Sequence, residues 1–226
     1  MSTYRYPLDI SKSETTYMIF TRAKNIGFTT ESLRNVDTAN FKSQTVGGIG
    51  LPVPRTITDS SGITYTDVQD MSLIAQTLQK GADKVIGSGL QQQGYIATGT
   101  NKAIQSMLFI SGVGLKSWTF NWKLIPESKD EMNNIEKIIQ EFELGKLPEY
   151  DTEIMKFPDA FKISFGGVKP KLIRFLPCVI TSMEVQYGEN EFQLYNDGGH
   201  PIINLSITFG EIAGRTQEIQ KRLYSN

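Results

Sequence analysis

Leu115-Lys116-Ser117-Trp118-Thr119-Phe120-Asn121-Trp122-Lys123-Leu124-Ile125-Pro126 is the stretch that decides the fold class. From Trp118 to Leu124 every second residue is large and apolar, and Ser117, Thr119, Asn121 and Lys123 fill the other positions. Successive strand side chains point to opposite faces, so this period of two makes a strand with one packed face and one wet face. Trp118, Phe120, Trp122 and Leu124 share the packed face. The two indoles therefore read as core rather than as a platform for stacking bases. Pro126 ends the strand.

Immediately C-terminal, Ser128-Lys129-Asp130-Glu131 has the spacing of a capping box. The Ser128 hydroxyl is expected to accept from the Glu131 amide, and the Glu131 carboxylate from the Ser128 amide. Met132, Ile135, Ile138, Ile139 and Phe142 follow at helical spacing, and Asp130 and Glu131 lie where the helix dipole favours negative charge. A helix over 128–144 is expected, stopped by Gly145 and Pro148. The remaining acidic residues of this segment, from Glu127 to Glu143, are interspersed with Lys129 and Lys137 and read as a solvated face, not as a catalytic carboxylate pair.

Further along, Ile154–Phe157, Ala160–Phe165, Cys178–Tyr187 and Pro201–Ile212 are strand candidates. In the third, Val179, Thr181, Met183, Val185 and Tyr187 are expected to share a face. In the fourth, Ile203, Leu205, Ile207 and Phe209 face the core, with Asn204, Ser206 and Thr208 opposite. Gly188-Glu189-Asn190 and Asn196-Asp197-Gly198-Gly199 are turn chemistry.

The N-terminal half is less regular. Residues 1–15 read as an arm, and Tyr17–Arg22 as a first strand. Gly47, Gly48 and Gly50 break the chain, and Leu51-Pro52-Val53-Pro54 suits an edge strand or an extended crossing segment, because proline lacks a backbone donor. Asp70 to Ile86 carries apolar residues at helical spacing, and Gly87 to Thr100 reads as a loop. Residues 25–105 are thus expected to form an irregular, partly helical insertion or extension within a single domain spanning 1–226. One strand, one helix and several strands predict an α+β domain: an antiparallel sandwich or barrel with a helix packed on it.

Composition narrows the chemistry. The 226 residues carry a net charge of −1, with 39% hydrophobic and 10% aromatic content. That balance suits a packed core and disfavours a broad surface for nucleic acid or anionic membrane. The N-terminus has no apolar core of signal-peptide type, and no apolar run approaches a membrane span, so a soluble protein kept in a cytoplasm is expected. There is one cysteine, Cys178, and one histidine, His200. Cys178 reads as a buried structural thiol. His200, between Gly199 and Pro201, reads as a turn residue, and a hydrolase using it with an acidic partner is the enzymatic alternative. Gly87-Ser88-Gly89 and Gly112-Val113-Gly114 lack the ending of a phosphate-binding loop. Lys169, Lys171 and Arg174 form a small basic stretch that could meet an acidic partner or nucleic acid. No catalytic, cofactor or metal residue is expected.

Order and spacing add a resemblance. The block from Met107-Leu108-Phe109 through Gly112-Val113-Gly114 and Trp118-Thr119-Phe120-Asn121-Trp122 to Pro126 resembles the baseplate tail-tube proteins of T4-type contractile phages. The resemblance continues through the helix opened by Ser128 and Glu131 and through Phe157-Pro158-Asp159-Ala160-Phe161-Lys162-Ile163. It extends to Pro177-Cys178-Val179 and to Pro201 through Phe209, with Glu211 after it. Tyr6-Pro7-Leu8-Asp9-Ile10 is similar to the starts of such chains. The likeness spans about residues 106 to 220. Within the family the tail-tube cap is the nearer match and the tube initiator the next. The resemblance implies a tube-protein fold and a homo-hexameric ring between the central hub and the tail tube or its initiator, within a virion tail baseplate. Contacts with the tape-measure protein and the sheath initiator are also implied, and no cofactor. Trp118, Phe120, Trp122, Ser128, Glu131, Phe157, Pro158, Cys178 and Phe209 are the structural and interface candidates. A virion-associated carbohydrate- or peptide-binding β module is the competing function.

Overall fold

In the computed structural model, residues 2–10, 16–24, 45–68, 107–151, 154–168, 170–189, 191–196 and 198–225 are described. They form two units: residues 1–61 with 115–226, and residues 62–114. The expected helical segment at Asp70–Ile86 and the loop to Thr100 lie outside the described residues.

The first unit is built on eight strands: β1 (Ser2–Arg5), β2 (Tyr17–Ala23), β3 (Thr45–Pro52), β4 (Ile57–Ser60), β7 (Ser117–Leu124), β10 (Ala160–Gly166), β11 (Cys178–Tyr187) and β12 (Ile203–Glu211). Their order in the sheet is β1-β3-β2-β10-β11-β12-β7-β4. Only β1 and β3 run parallel; the other neighbours are antiparallel. With helix α1 (Lys129–Lys146) and helix α2 (Gln217–Ser225), the unit is α+β.

This sheet does not lie flat. Four inter-strand steps separate β2 from β7, a distance of about 19 Å in a flat sheet. Yet the Phe20 ring of β2 lies 6.0 Å from Phe120 and 5.8 Å from Trp122 on β7, and 5.5 Å from Phe209 on β12. The fold-over falls between β10 and β11, which pair only at Phe161 and Cys178. Two four-stranded leaves result, β1-β3-β2-β10 and β11-β12-β7-β4, with the core between them. On the far side Trp122 Nε1 donates to the Pro52 carbonyl at 2.8 Å. There too, the Tyr6 hydroxyl donates to Ile125 O at 2.8 Å and accepts from Ile125 N at 3.0 Å. Desolvation is the main cause that raises the Tyr6 pKa above its ordinary value. Apolar burial between the leaves supplies the driving force, roughly 1.5–3 kcal/mol for each large side chain fully withdrawn from water.

The strands read from alternation have the expected facing. Trp118, Phe120, Trp122 and Leu124 are buried, as are Ile203, Leu205, Ile207 and Phe209. In β11 the expected face is corrected. Cys178 and Ile180 point inward, a bulge between Ile180 and Ser182 shifts the register, and Met183 and Val185 then pack against the core. The extra residue inverts the parity, leaving Thr181 exposed.

Three further expectations are corrected. The glycine-broken segment before Pro52 is β3, hydrogen-bonded on both sides by β1 and β2, with Ile49 and Leu51 in the core. Its glycines admit β1 closely: a Cβ at Gly50 would stand 3.3 Å from Arg5 Cγ. Part of the span 25–105 therefore belongs to the principal sheet. Pairing with distant strands, not local propensity, makes β3 a strand. The arm at 1–15 likewise supplies β1, and Ile10 is buried. Gly145 does not stop the helix; it lies buried inside its last turn. A Cβ there would run into the Phe161 ring and stand 3.1 Å from Arg22 Cδ, so close packing explains the glycine.

At the helix start, Glu131 N donates to Ser128 Oγ at 3.2 Å, as a capping box requires. The reciprocal bond differs from expectation. Glu131 Oε2 accepts from Glu127 N at 3.0 Å, one residue earlier than Ser128. The α1 stripe of Met132, Ile135, Ile138, Ile139 and Phe142 is buried against the unit's core.

The second unit, in its described part, is a ribbon of β5 (Ile63–Val68) and β6 (Met107–Val113), closed at its base by Gly114 N donating to Gly62 O at 2.8 Å. Gly112 is a paired strand residue, and a Cβ on Gly114 would meet Gly62 O at 2.7 Å. The glycine motif here serves a close backbone approach. A short pair, β8 (Tyr150–Asp151) and β9 (Ile154–Met155), follows α1 within the first unit.

Candidate functional site

On the outer face of β11, β12 and β7 the sheet register assembles a polar surface. Asn204 pairs with Lys123, Ser206 with Asn121 and Thr208 with Thr119. On the other side Ser182 pairs with Thr208, Glu184 with Ser206 and Gln186 with Asn204. Three strands thus bring hydroxyls and amides into rows. Thr119 and Thr208 share a hydrogen bond of 3.0 Å across the strands, and Lys123 Nζ meets Glu189 at 2.8 Å. Pro54, Arg55 and Thr56 border this face and leave a groove of about 700 Å³ over Asn121 and Ser206. Trp122 lines it from below, but only 5% of the residue is exposed.

Two buried ionic nodes fix the sheet behind this face. At the end of β2, Arg22 Nη1 lies 2.8 Å from Glu141 Oε2 of α1, and its Nε lies 3.2 Å from Asp159 Oδ2. At the end of β12, Glu211 is 1% exposed. It accepts from Trp118 Nε1 at 2.9 Å and from Arg215 Nε at 2.7 Å. Arg215 in turn donates to Arg174 O at 2.6 Å and to Gln220 Oε1 at 3.0 Å, joining the 170–177 segment and α2 to the node. Sequence reasoning passed over both nodes, although a signal existed. Met18, Phe20 and Arg22 share strand parity, as do Ile207, Phe209 and Glu211. A charge that continues a core-facing alternation must find a partner.

No protein-family model and no curated protein matches this chain.

The nine residues singled out from sequence separate by environment. Trp118, Phe120, Trp122, Phe209 and Cys178 are buried, and Ser128 and Glu131 cap α1. Phe157 stands out at 78% exposure, with Pro158 half-buried beside it. Burial first, then the Glu211 charge, pushes the Cys178 thiol far above its usual range, and its Sγ donates to Leu176 O at 3.1 Å. Such a thiol is a poor nucleophile. His200 packs between Tyr187, at 4.6 Å between ring centroids, and Phe192, at 5.3 Å. Arg174 of the basic stretch folds back onto Pro170 O at 2.8 Å, and Lys169 lies outside the described residues. Among the described residues no group of three or more His, Cys, Asp or Glu side chains could hold a metal ion. No helix among them is long and apolar enough to cross a membrane.

Proposed function

We propose that the chain is a non-catalytic structural subunit of a contractile phage tail baseplate. It forms a homo-hexameric ring that joins the central hub to the tail tube, or to the tube initiator, and helps start tube assembly in the virion. The observation that carries this reading is the three-strand outer face. Rows of Thr, Ser, Asn and Gln, interrupted by Glu184 and by Lys123 drawn to Glu189, give a hydrated surface of low net charge backed by an aromatic core. Such a face suits the wall of a wet channel, because it stays hydrated and offers no concentrated charge to hold a passing chain. The phage tail-tube type of fold is supported by the two-leaf sandwich with one capped helix and by the resemblance from Met107 to Glu211. Contacts with the tape-measure protein and sheath initiator follow from the same reading, without a membrane or sequence-specific nucleic acid as partner.

Class averages of the purified chain, alone and with the hub protein, test the proposal. Sixfold rings or stacked tubes are expected. A monomer under every condition, hub included, sinks it. The groove over Asn121 and Ser206 is what favours a carbohydrate- or peptide-binding module. Trp122 contacts Pro52 through its indole nitrogen and is buried, so it offers no open ring to a sugar. Glycan-array binding by the monomer would turn the reading toward that module.

A further inference from the structure

Between β10 and β11 the chain from Pro170 to Pro177 forms no regular element, so its main-chain groups have no ladder to join. Among the described residues, every hydrogen bond that ties this segment to a distant part of the chain ends on Glu211, Ile212 or Arg215. Arg174 O accepts from Arg215 Nη2 at 2.6 Å, Leu176 N donates to Glu211 Oε1 at 3.4 Å, and Pro177 O accepts from Ile212 N at 3.1 Å. Arg174 directs its own guanidinium inward, onto Pro170 O and Ile173 O of the same segment. The Phe175 ring lies 4.8 Å from Trp118 and 5.6 Å from Phe165, between centroids, and Leu172 is left exposed.

Helix α2 meets the same guanidinium. With nine residues it is shorter than a helix that holds its shape alone in water. Thr216 Oγ1 accepts from Ile219 N at 3.3 Å, and Arg222 pairs with Glu218 at 2.7 Å, but both bonds lie within the helix and its cap. Arg215 reaches outward from it. Its Nη1 donates to Gln220 Oε1 at 3.0 Å, its Nε to Glu211 Oε2 at 2.7 Å, and its Nη2 to Arg174 O. One planar fork thus engages all its nitrogens on α2, on the end of β12 and on the 170–177 segment. The buried Glu211 carboxylate holds that fork in place by its charge.

We propose that Arg215 is a latch that orders α2 and the 170–177 segment together. When α2 swings away, Arg215 goes with it and Arg174 O loses its donor. The segment then keeps its anchors only at the Leu176–Pro177 end, and residues 170–175 come free of the Trp118 end of the sheet. A partner that draws α2 aside releases Leu172 and Phe175 without touching them, and one that fixes α2 holds them closed. The two segments open as one cooperative unit while the sheet stays folded. The latch acts within a single chain and does not depend on the ring.

Limited trypsin digestion of the full chain, followed by mass spectrometry, tests both sides of the latch. Lys171 and Arg174 are cleavage sites in the segment, and Lys221 and Arg222 are sites in α2. Cutting requires each site to open locally. Arg215→Lys keeps a charge opposite Glu211 but lacks the fork that spans three acceptors. It should raise cutting at Arg174 and at Lys221 and Arg222 together, by about tenfold or more, with cutting at Lys123 on β7 unchanged. Gln220→Pro leaves Arg215, Glu211 and Arg174 in place, removes the Gln220 acceptor and breaks α2. It should still raise cutting at Arg174 at least about threefold. Joint loosening in both variants supports the latch. It is overturned if Gln220→Pro opens α2 while Arg174 stays as resistant as in wild type, if Arg215→Lys loosens one side alone, or if neither variant changes either side. Should Arg215→Lys also loosen Lys123, the response of Arg174 to Gln220→Pro decides the matter by itself.

Discussion

The two faces of β7 and β12 come from alternate residues of the same strands, yet they obey different constraints. Inward, Trp118, Phe120 and Phe209 meet aromatic neighbours at fixed ring geometries beside the buried Ile207, and Trp118 also satisfies a buried carboxylate. Outward, Thr119, Asn121, Ser206 and Thr208 have mostly water or one another to satisfy. Parity thus separates the two faces: inward residues hold the unit together, and outward residues are released from that constraint.

Substitutions can break or sharpen this contrast. Trp118→Ala should be the most damaging, at about 4–5 kcal/mol in urea unfolding. It opens a cavity and removes a donor from Glu211. Trp118→Phe, which keeps most of the volume, should recover more than half of that loss. Arg22→Ala should cost about 3–5 kcal/mol by the same measurement, because the largely buried Glu141 and Asp159 carboxylates would lose the guanidinium between them. Gly145→Ala should destabilise by about 1–3 kcal/mol despite alanine's better helix propensity, since Phe161 and Arg22 occupy the space. Ser128→Ala should cost about 1 kcal/mol through the lost N-cap bond. Asn121→Ala and Ser206→Ala, on the outer face, should stay within about 0.5 kcal/mol of wild type. An outer-face substitution as costly as Trp118→Ala would dissolve the contrast.

Legibility in the sequence followed the range of the forces. β7, α1 and β12 could be read directly, because period, cap and breaker all lie within a few neighbouring residues. β11 was only half legible, since one bulged residue moves its inward set from even to odd positions. β1, β3 and β4 were opaque. Gly47 to Gly50 say little by themselves, and β3 is a strand because β1 and β2 flank it. Of the candidate surface, the polar rows on β7 and β12 were visible as alternation, but their alignment needed the register. The ionic node at Arg22 joins residues more than a hundred positions apart, although the parity of Arg22 and Glu211 hinted that each charge points inward.

The joint between the leaves has a mechanical consequence. β2 and β10 are tied along seven aligned pairs, whereas β10 and β11 meet at one. A load along the strands must shear the whole β2–β10 ladder at once, while a load that peels β11 from β10 meets a single pair before it reaches the packed rings. The unit is therefore stiff along its strands and compliant across one seam, and a force applied to the two ends of β10 travels through its strongest ladder.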